Sequence, residues 1–288
     1  MPTLSVLIPT YNRETYVADA IRSALDQPYT DLEVIVSDNA STDRTVEIAR
    51  GIAAQDSRVR IFVNDRNLGP IGNWKNALAQ ARGEYAHWLW SDDYVEPGFY
   101  SVWNRLRPTG PACFQVAAWL RGENKSEVVH QCDEQYFSFK TIIEAAPTKL
   151  LVPASPAAYI LPTASLRRHF YDSMLQTRRL RCVDTAIGPD LLMVLGSVMD
   201  CGGLHMHPEP LINFRQHGGS ISMQRTRALK PHYTFALAWF IHTHRIGLPI
   251  RAALHLVRKG LKFRSAPMVK AGAAALLVTR RPEVRAGE

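Results

Sequence analysis

The chain has 288 residues, 46% of them hydrophobic and 21% charged, which excludes a disordered or low-complexity protein and allows a sizeable core. Its formal net charge of +8 is unevenly spread: residues 1–100 carry 9 Arg or Lys against 14 Asp or Glu, and the other 188 carry 25 against 12. The basic second half predicts a face that meets something anionic (membrane lipid, a lipid-phosphate acceptor or nucleic acid), against the plainer alternative of a solvated basic surface.

In chain order, Leu4 to Pro9 is a short apolar run ending at a proline, as in a buried strand. Val17, Ala18, Ile21, Ala24 and Leu25 recur at helical spacing. Leu32 to Val36 reads as a second strand. Val46, Ala49, Ile52 and Ala53 mark a second helix, with Ser41 or Thr42 as its N-cap. Val59 to Val63 is a third strand, Trp74, Ala77, Leu78 and Ala81 a third helix, and Tyr85 to Trp90 a fourth strand, with a further helix starting near Pro97. Cys113 to Leu120 reads as another strand, residues 121–135 as a polar loop or hairpin, and residues 138–200 as mixed helix and loop. From Pro231 to Thr279 two or three helices are expected, rich in Arg, Lys, His and aromatics. None of their windows has the roughly 18 uncharged apolar residues of a spanning helix, though an interfacial amphipathic segment remains open. Cys113, Cys132, Cys182 and Cys201 form no C-x-x-C pair, and the first apolar run is too short for a signal peptide, so a reducing cytoplasmic setting is expected.

The βαβαβαβ order predicts an α/β fold: a mostly parallel sheet with helices on both faces and a C-terminal helical extension. Ligands of such sheets bind outside the C-terminal strand ends. The polar clusters fall there: Thr10 to Arg13, Ser37 to Asp43, Asn64 to Asn67, and Ser91 to Asp93.

Adjacent carboxylates such as Asp92 and Asp93 repel unless a cation sits between them. A hard divalent ion shared with substrate phosphates is one answer; a turn capping the next helix is the other. Asp38 could accept a nucleobase hydrogen and Tyr11 offers a stacking face, while both also suit turn chemistry. Trp88 and Trp90 share a strand face and could flank a sugar, with a core role expected for at least one. His205 and His207 read as strand or loop surface.

Residues 4–99 resemble the N-terminal half of a family 2 glycosyltransferase of the GT-A (Rossmann-like) fold. The resemblance rests on Ser5-Val-Leu-Ile-Pro-Thr-Tyr-Asn-Arg-Glu14, Val36-Ser-Asp-Asn-Ala-Ser-Thr-Asp43, Asn67-Leu-Gly-Pro-Ile-Gly-Asn73 and Leu89-Trp-Ser-Asp-Asp93. It implies a nucleotide-diphosphate sugar donor (UDP-, GDP- or dTDP-linked) held by residues of these segments: Pro9, Thr10, Tyr11, Asn12, Glu14, Asp38, Asn67, Gly69, Asn73 and Ser91. Lys75 would stand in for a basic donor contact. Asp92 and Asp93 would form the Asp-x-Asp element. Because Trp90 occupies its usual first acidic position, Asp93 is the expected contact to Mg²⁺ or Mn²⁺ and Asp92 the ribose or outer contact. Gly188-Pro-Asp-Leu-Leu192 resembles the segment of the catalytic base, implying Asp190, with Asp184 as the alternative and a helix N-terminal acid as the structural one. Phe214 to Ser222 resembles a late Arg-x-His segment, implying Arg215 on the diphosphate and His217 on the metal or diphosphate; the alternative there is a Gly-Gly turn.

The implied activity is inverting, divalent-metal-dependent transfer to a saccharide or lipid-linked acceptor hydroxyl, in surface polysaccharide or glycolipid assembly at the inner membrane face. The expected organisation is a catalytic domain over 1–225, with a donor half (1–110) and an acceptor half (111–225), followed by a basic helical extension (226–288). A nucleotidyltransferase is a competing reading, but it needs a Gly-rich loop where Thr10 to Arg13 stands. A nucleic-acid-binding module leaves the acidic residues without a purpose, so no nucleic-acid partner is expected.

Overall fold

The computed structural model describes residues 1–107, 112–122, 126–129, 134–148, 155–172, 182–218, 226–263 and 265–279. Cys132, the side chain of Asp184 and residues 219–222, all singled out above, lie outside the described residues.

The first four strands, β1 (Leu4–Thr10), β2 (Leu32–Asp38), β3 (Val59–Val63) and β4 (Tyr85–Trp88), alternate with α1 (Val17–Leu25), α2 (Thr45–Ala53) and α3 (Gly69–Gln80). All the pairings among these strands are parallel, in the order β3-β2-β1-β4. Every residue of β1 and β2 is buried. A strand covered on both faces gains from continuous apolar sequence rather than alternation, and Leu-Ser-Val-Leu-Ile supplies it. Order reverses between β1 and β4, which opens the crevice where their C-terminal loops meet.

Beyond Trp88 the sheet is mixed. A two-residue strand, β5 (Tyr94–Val95), is followed by α4 (Phe99–Leu106), β6 (Cys113–Arg121), β7 (Ser126–Val129), β8 (Gln135–Ser138) and α5 (Phe139–Ala145). A 3-10 turn (Pro156–Ala158) leads into β9 (Tyr159–Pro162) and α6 (Thr163–Arg168). The one-turn α7 (Cys182–Thr185), α8 (Pro189–Asp200) and the long β10 (Gly203–Arg215) complete this half. The sheet continues β4-β9-β6-β10-β5, with β6 and β10 parallel and β9 antiparallel to both its neighbours. The expected hairpin is present as β6–β7. Strand β9 falls in a stretch expected to be helix and loop; at four residues it is too short to show a period.

Two expectations are corrected. Ser41 and Thr42 do not cap α2, which begins at Thr45; Asp43 Oδ1 takes the Thr45 amide at 3.0 Å instead. The Ser41 hydroxyl is directed elsewhere: it donates to Asp38 and accepts the Asn12 amide. His207 lies in β10 but is only 7% exposed, stacked on Phe114 and 3.3 Å from Glu209.

Three helices follow: α9 (Thr226–Thr243), α10 (Ile250–Lys262) and α11 (Ala266–Thr279). Helix α9 packs on α8, and α11 packs on both α9 and α10. Among the described residues no helix is long and apolar enough to cross a membrane. Cys113, Cys182 and Cys201 are free thiols.

The N-terminal end of the sheet is tied by Glu33, 5% exposed, which accepts from Ser5 Oγ at 2.8 Å, the Arg82 amide at 2.8 Å and Arg60 Nη1 at 2.7 Å. Glu33→Ala leaves these donors without their anion and is expected to lower stability by about 3 kcal/mol in urea unfolding. Ligand affinity at the opposite, C-terminal end should be unchanged.

Candidate active site

The crevice is built from loops stitched to one another by side chain to backbone bonds. Asn12 has a left-handed backbone (φ 51°), which asparagine tolerates better than most residues. Its amide donates to Ser41 Oγ at 2.9 Å, and its Oδ1 accepts the Thr42 amide at 2.9 Å. The Arg13 amide donates to Thr45 Oγ1, and the Glu14 amide to Asp43 Oδ2. Glu14 Oε2 accepts the Arg44 amide at 3.0 Å. Asn12 and Glu14, read as donor contacts, therefore spend these polar groups bracing the second loop. Tyr11 stands at the rim, 42% exposed. Pro9 and Thr10 are buried beneath it, and Thr10 Oγ1 has no hydrogen-bond partner among the described residues.

Asp38 is 1% exposed. Its Oδ1 accepts the Ser41 amide at 2.8 Å and its Oδ2 the Ser41 hydroxyl at 2.5 Å. Each carboxylate oxygen thus already serves the turn, and a base could use only its remaining lone pairs.

An asparagine network, unread in the sequence, supports the third loop. Asn39 Nδ2 donates to Asn67 Oδ1 at 2.8 Å, and Asn39 Oδ1 accepts the Leu68 amide at 2.8 Å and Asn64 Nδ2 at 3.2 Å. Asn73, 3% exposed, donates to the Ser37 and Thr10 carbonyls and accepts from Ser37 Oγ and Asn64 Nδ2. Asn67 and Asn73, expected as donor contacts, thus also brace these loops. Gly69 opens α3 at φ 72°, a conformation costly for residues with a Cβ. The Lys75 ammonium, expected as a donor contact, pairs with Asp172 at 2.5 Å, and both side chains are exposed.

The fourth loop carries the acidic pair. Trp90 packs against Trp74 at 5.0 Å and donates its indole N–H to Ser155, while Trp88 is fully buried. Ser91 is buried. Asp93 is 5% exposed and turned inward, where Oδ1 accepts the Arg215 amide at 3.0 Å. Burial, and then the charge of Asp92, push its carboxyl well above the usual carboxylate range. Asp92 instead faces the crevice, with Oδ2 2.9 Å from His217 Nε2 and 3.7 Å from Arg13 Nε. His217, expected to share a metal with Asp93, stands against Asp92 here: the turn from Trp90 directs Asp93 into the protein and leaves Asp92 opposite the histidine.

His217 and Arg215 arrive from the end of β10, which pairs with β5 through Asn213 and Tyr94. The Arg215 guanidinium lies over the Tyr94 ring at 4.6 Å and the Tyr16 ring at 5.5 Å, and bonds Asp19 at 2.8 Å. Its cation, expected on the diphosphate, is matched here by Asp19. Tyr16 also packs on the His217 ring at 4.8 Å. Arg13 and Tyr16 were missed as site residues. Arg13 was visible as a cation within the first polar loop, whereas nothing in sequence linked Tyr16 to a histidine 201 positions later.

Asp190 sits in the first turn of α8, 7% exposed. Its Oδ1 accepts the Gly188 and Leu191 amides, and its Oδ2 accepts the Tyr233 hydroxyl at 2.7 Å. Burial raises its pKa to about 6, against the lowering effect of these bonds. Tyr233 comes from α9, so the extension touches this residue directly. Among the described residues, no three His, Cys, Asp or Glu side chains converge as a ready-made metal site.

Asn39→Ala removes the acceptor of the Leu68 amide. Amide hydrogen exchange at Leu68 is expected to quicken by about tenfold or more, while Val6 in β1 keeps its protection.

Comparison with known proteins agrees with this architecture. The solved structure of Staphylococcus aureus TarS 1–349 in complex with UDP-GlcNAc superposes with a TM-score of 0.63 at 17% identity, covering 96% of this chain and 90% of that one. The mannosyltransferase PcManGT from Pyrobaculum calidifontis, in complex with GDP-Man and Mn²⁺, gives 0.56 at 16% identity, covering 100% and 76%. At these identities the likeness shows the fold alone. In sequence, a GalNAc(5)-diNAcBac-PP-undecaprenol beta-1,3-glucosyltransferase of Campylobacter jejuni is 41% identical over 103 residues, 35% of this chain and 33% of that protein. Chondroitin synthase of Escherichia coli is 43% identical over 98 residues, 34% of this chain and 14% of its own. The aligned segments thus span a third or less of these two relatives. Residues 5–165 match the family model of glycosyl transferase family 2, more than half of the chain. The chain belongs to glycosyl transferase family 2.

Proposed function

We propose that this protein transfers a sugar from a nucleotide-diphosphate sugar to an acceptor hydroxyl, with inversion, in surface polysaccharide or glycolipid assembly. The observation that carries the reading is the meeting of Arg13, Asp92 and His217 at the point where strand order reverses. The UDP-GlcNAc and GDP-Man of the two fold neighbours support a nucleotide-sugar donor, and the undecaprenol-linked name of the Campylobacter relative supports a lipid-linked or saccharide acceptor.

A divalent cation, Mg²⁺ or Mn²⁺, fits Asp92 and His217. Asp92 Oδ2 and His217 Nε2, 2.9 Å apart, would offer it one carboxylate oxygen and one imidazole nitrogen. When bound, the cation supplies charge neutralisation for the leaving diphosphate. Tyr11 stacks on the nucleobase and Asp38 accepts one of its hydrogens. Arg13 lies close enough to Asp92 to reach a phosphate. Asp93 fixes the backbone of Arg215, and so the height of His217. Asp190 removes the acceptor proton, its negative form sustained by the Tyr233 hydroxyl. The proposed organisation is catalysis within 1–225, the acceptor half being 111–225, and anchoring by 226–288 at a cytoplasmic membrane face.

A calorimetric panel of UDP-, GDP- and dTDP-sugars with Mg²⁺ or Mn²⁺ tests the donor site. One donor class should bind in a cation-dependent way, and Asp92→Ala or His217→Ala should remove that dependence. Unchanged cation-dependent binding in both variants would refute the site. Asp190→Asn should keep donor affinity and lower transfer by about 10²–10⁴-fold.

The pH profile has a definite sign. Asp190 must be ionised to accept a proton, so kcat should fall as pH drops through about 6. Tyr233 lowers that pKa. Tyr233→Phe should therefore shift the acid limb to higher pH, which initial rates between pH 5 and 8 will resolve.

A further inference from the structure

Between residues 216 and 282 the chain has twelve Arg and Lys and no Asp or Glu. An ordinary solvated face mixes both signs, so a one-signed stretch of this length needs a counter-charge from elsewhere. It includes α10, whose solvent side is not polar throughout.

At 100° per residue, Ile250, Leu254, Val257 and Leu261 form a single stripe along α10. Ile250 is 52% exposed, Leu254 44% and Leu261 65%. These are three of the eight large hydrophobic side chains exposed among the described residues, and they share one helix face. Scattered exposed apolar residues need no explanation, whereas an aligned row does. Arg251, Arg258 and Lys262 lie along one side of the row and are exposed. The opposite face, Ala252, Ala253, Leu256 and Gly260, is buried.

The packing of α10 on α11 keeps this orientation. A Cβ at Gly260 would lie 2.8 Å from the Val269 backbone nitrogen, and one at Gly272 would lie 2.7 Å from Val257 Cγ2 and 2.9 Å from the Ala253 carbonyl. The two glycines let the helices approach closely, so α10 cannot roll its apolar row inward without losing that contact.

We propose that α10 lies in the plane of an anionic lipid bilayer, with Ile250, Leu254 and Leu261 in the acyl boundary and Arg251, Arg258 and Lys262 on the headgroups. The chemistry suits lipid rather than a protein partner. A row about 16 Å long is too narrow for a stable protein interface, but insertion with flanking cations is how monotopic helices hold a membrane. The surface names the partner of the membrane-facing setting proposed above and is independent of the sugar chemistry.

The test is flotation of the full chain with vesicles of phosphatidylcholine alone or with about 30 mol% phosphatidylglycerol, at about 0.1 M salt. The protein should float with the anionic vesicles and remain behind with the neutral ones. Ile250→Ser/Leu254→Ser/Leu261→Ser should weaken anionic-vesicle binding about tenfold or more, and Arg251→Gln/Arg258→Gln/Lys262→Gln should do the same. Leu261→Ser alone, checked by circular dichroism, keeps the test open should a triple variant misfold; it should give a smaller loss in the same direction. No flotation of the parent, or full binding by folded serine variants, overturns the proposal. So does a parent dimer in light scattering that the serine variants dissolve, which would make the stripe a self-interface. Nucleotide-sugar binding should be the same in parent and variants, so failure here and failure of the donor site are read separately.

Discussion

Two residues of backbone pairing, Tyr94–Val95 against Ile212–Asn213, carry the far half of the chain back onto the acidic loop. The approach of His217 to Asp92 depends on that short antiparallel contact. Immediately before it, Asp92 and Asp93 leave β4 on a turn. Immediately after its partner strand, Arg215 and His217 leave β10. The buried Asp93 carboxylate locks the two exits together through the Arg215 amide. A buried acid with a raised pKa is an expensive clasp, and it is held because its loss would free both the acidic loop and the histidine.

The rest of the rim is stiffened by neutral groups. Asn39, Asn64, Asn67 and Asn73 satisfy backbone and one another across three loops, and Ser41 joins the first loop to Asp38. Amide side chains offer both donors and acceptors without charge, so they can be buried at a loop junction at lower cost than ions. A binding surface of backbone and aromatic groups can then stand on loops without the looseness usual for loops. Tyr11 is presented to solvent by this support.

The first hundred residues were legible because each element there has its own period and each loop its own polar cluster. The β1 and β2 runs, the three helices and the four loops could be placed from residue spacing alone, and the quoted motifs add the family resemblance. Which carboxylate faces the crevice was not legible: adjacent residues at a strand end point to opposite sides, and the choice follows from the turn geometry after Trp90. The bonds that Asn67, Asn73 and Lys75 make within the protein were not legible for a related reason, since polar residues near a site also build its scaffold. The β5–β10 pairing and the Tyr233–Asp190 bond join segments far apart in sequence, and no local pattern announces them. Strand β9 was hidden by its length.

The long strand β10 has an implication for how the molecule is made. It is interior, lying between β6 and β5, yet it is synthesised more than 80 residues after β6 and ends 122 residues after Asp93. At the usual pace of translation, on the order of ten seconds separate the acidic loop from its histidine. During that interval one edge of β6, nine residues long, lacks its partner strand, and the carboxylate destined for burial is still in water. A nascent chain halted near residue 165 would contain the whole segment recognised by the family but neither the strand that closes its sheet nor the histidine that completes its crevice. For this protein, the recognisable half of the sequence is the half that waits.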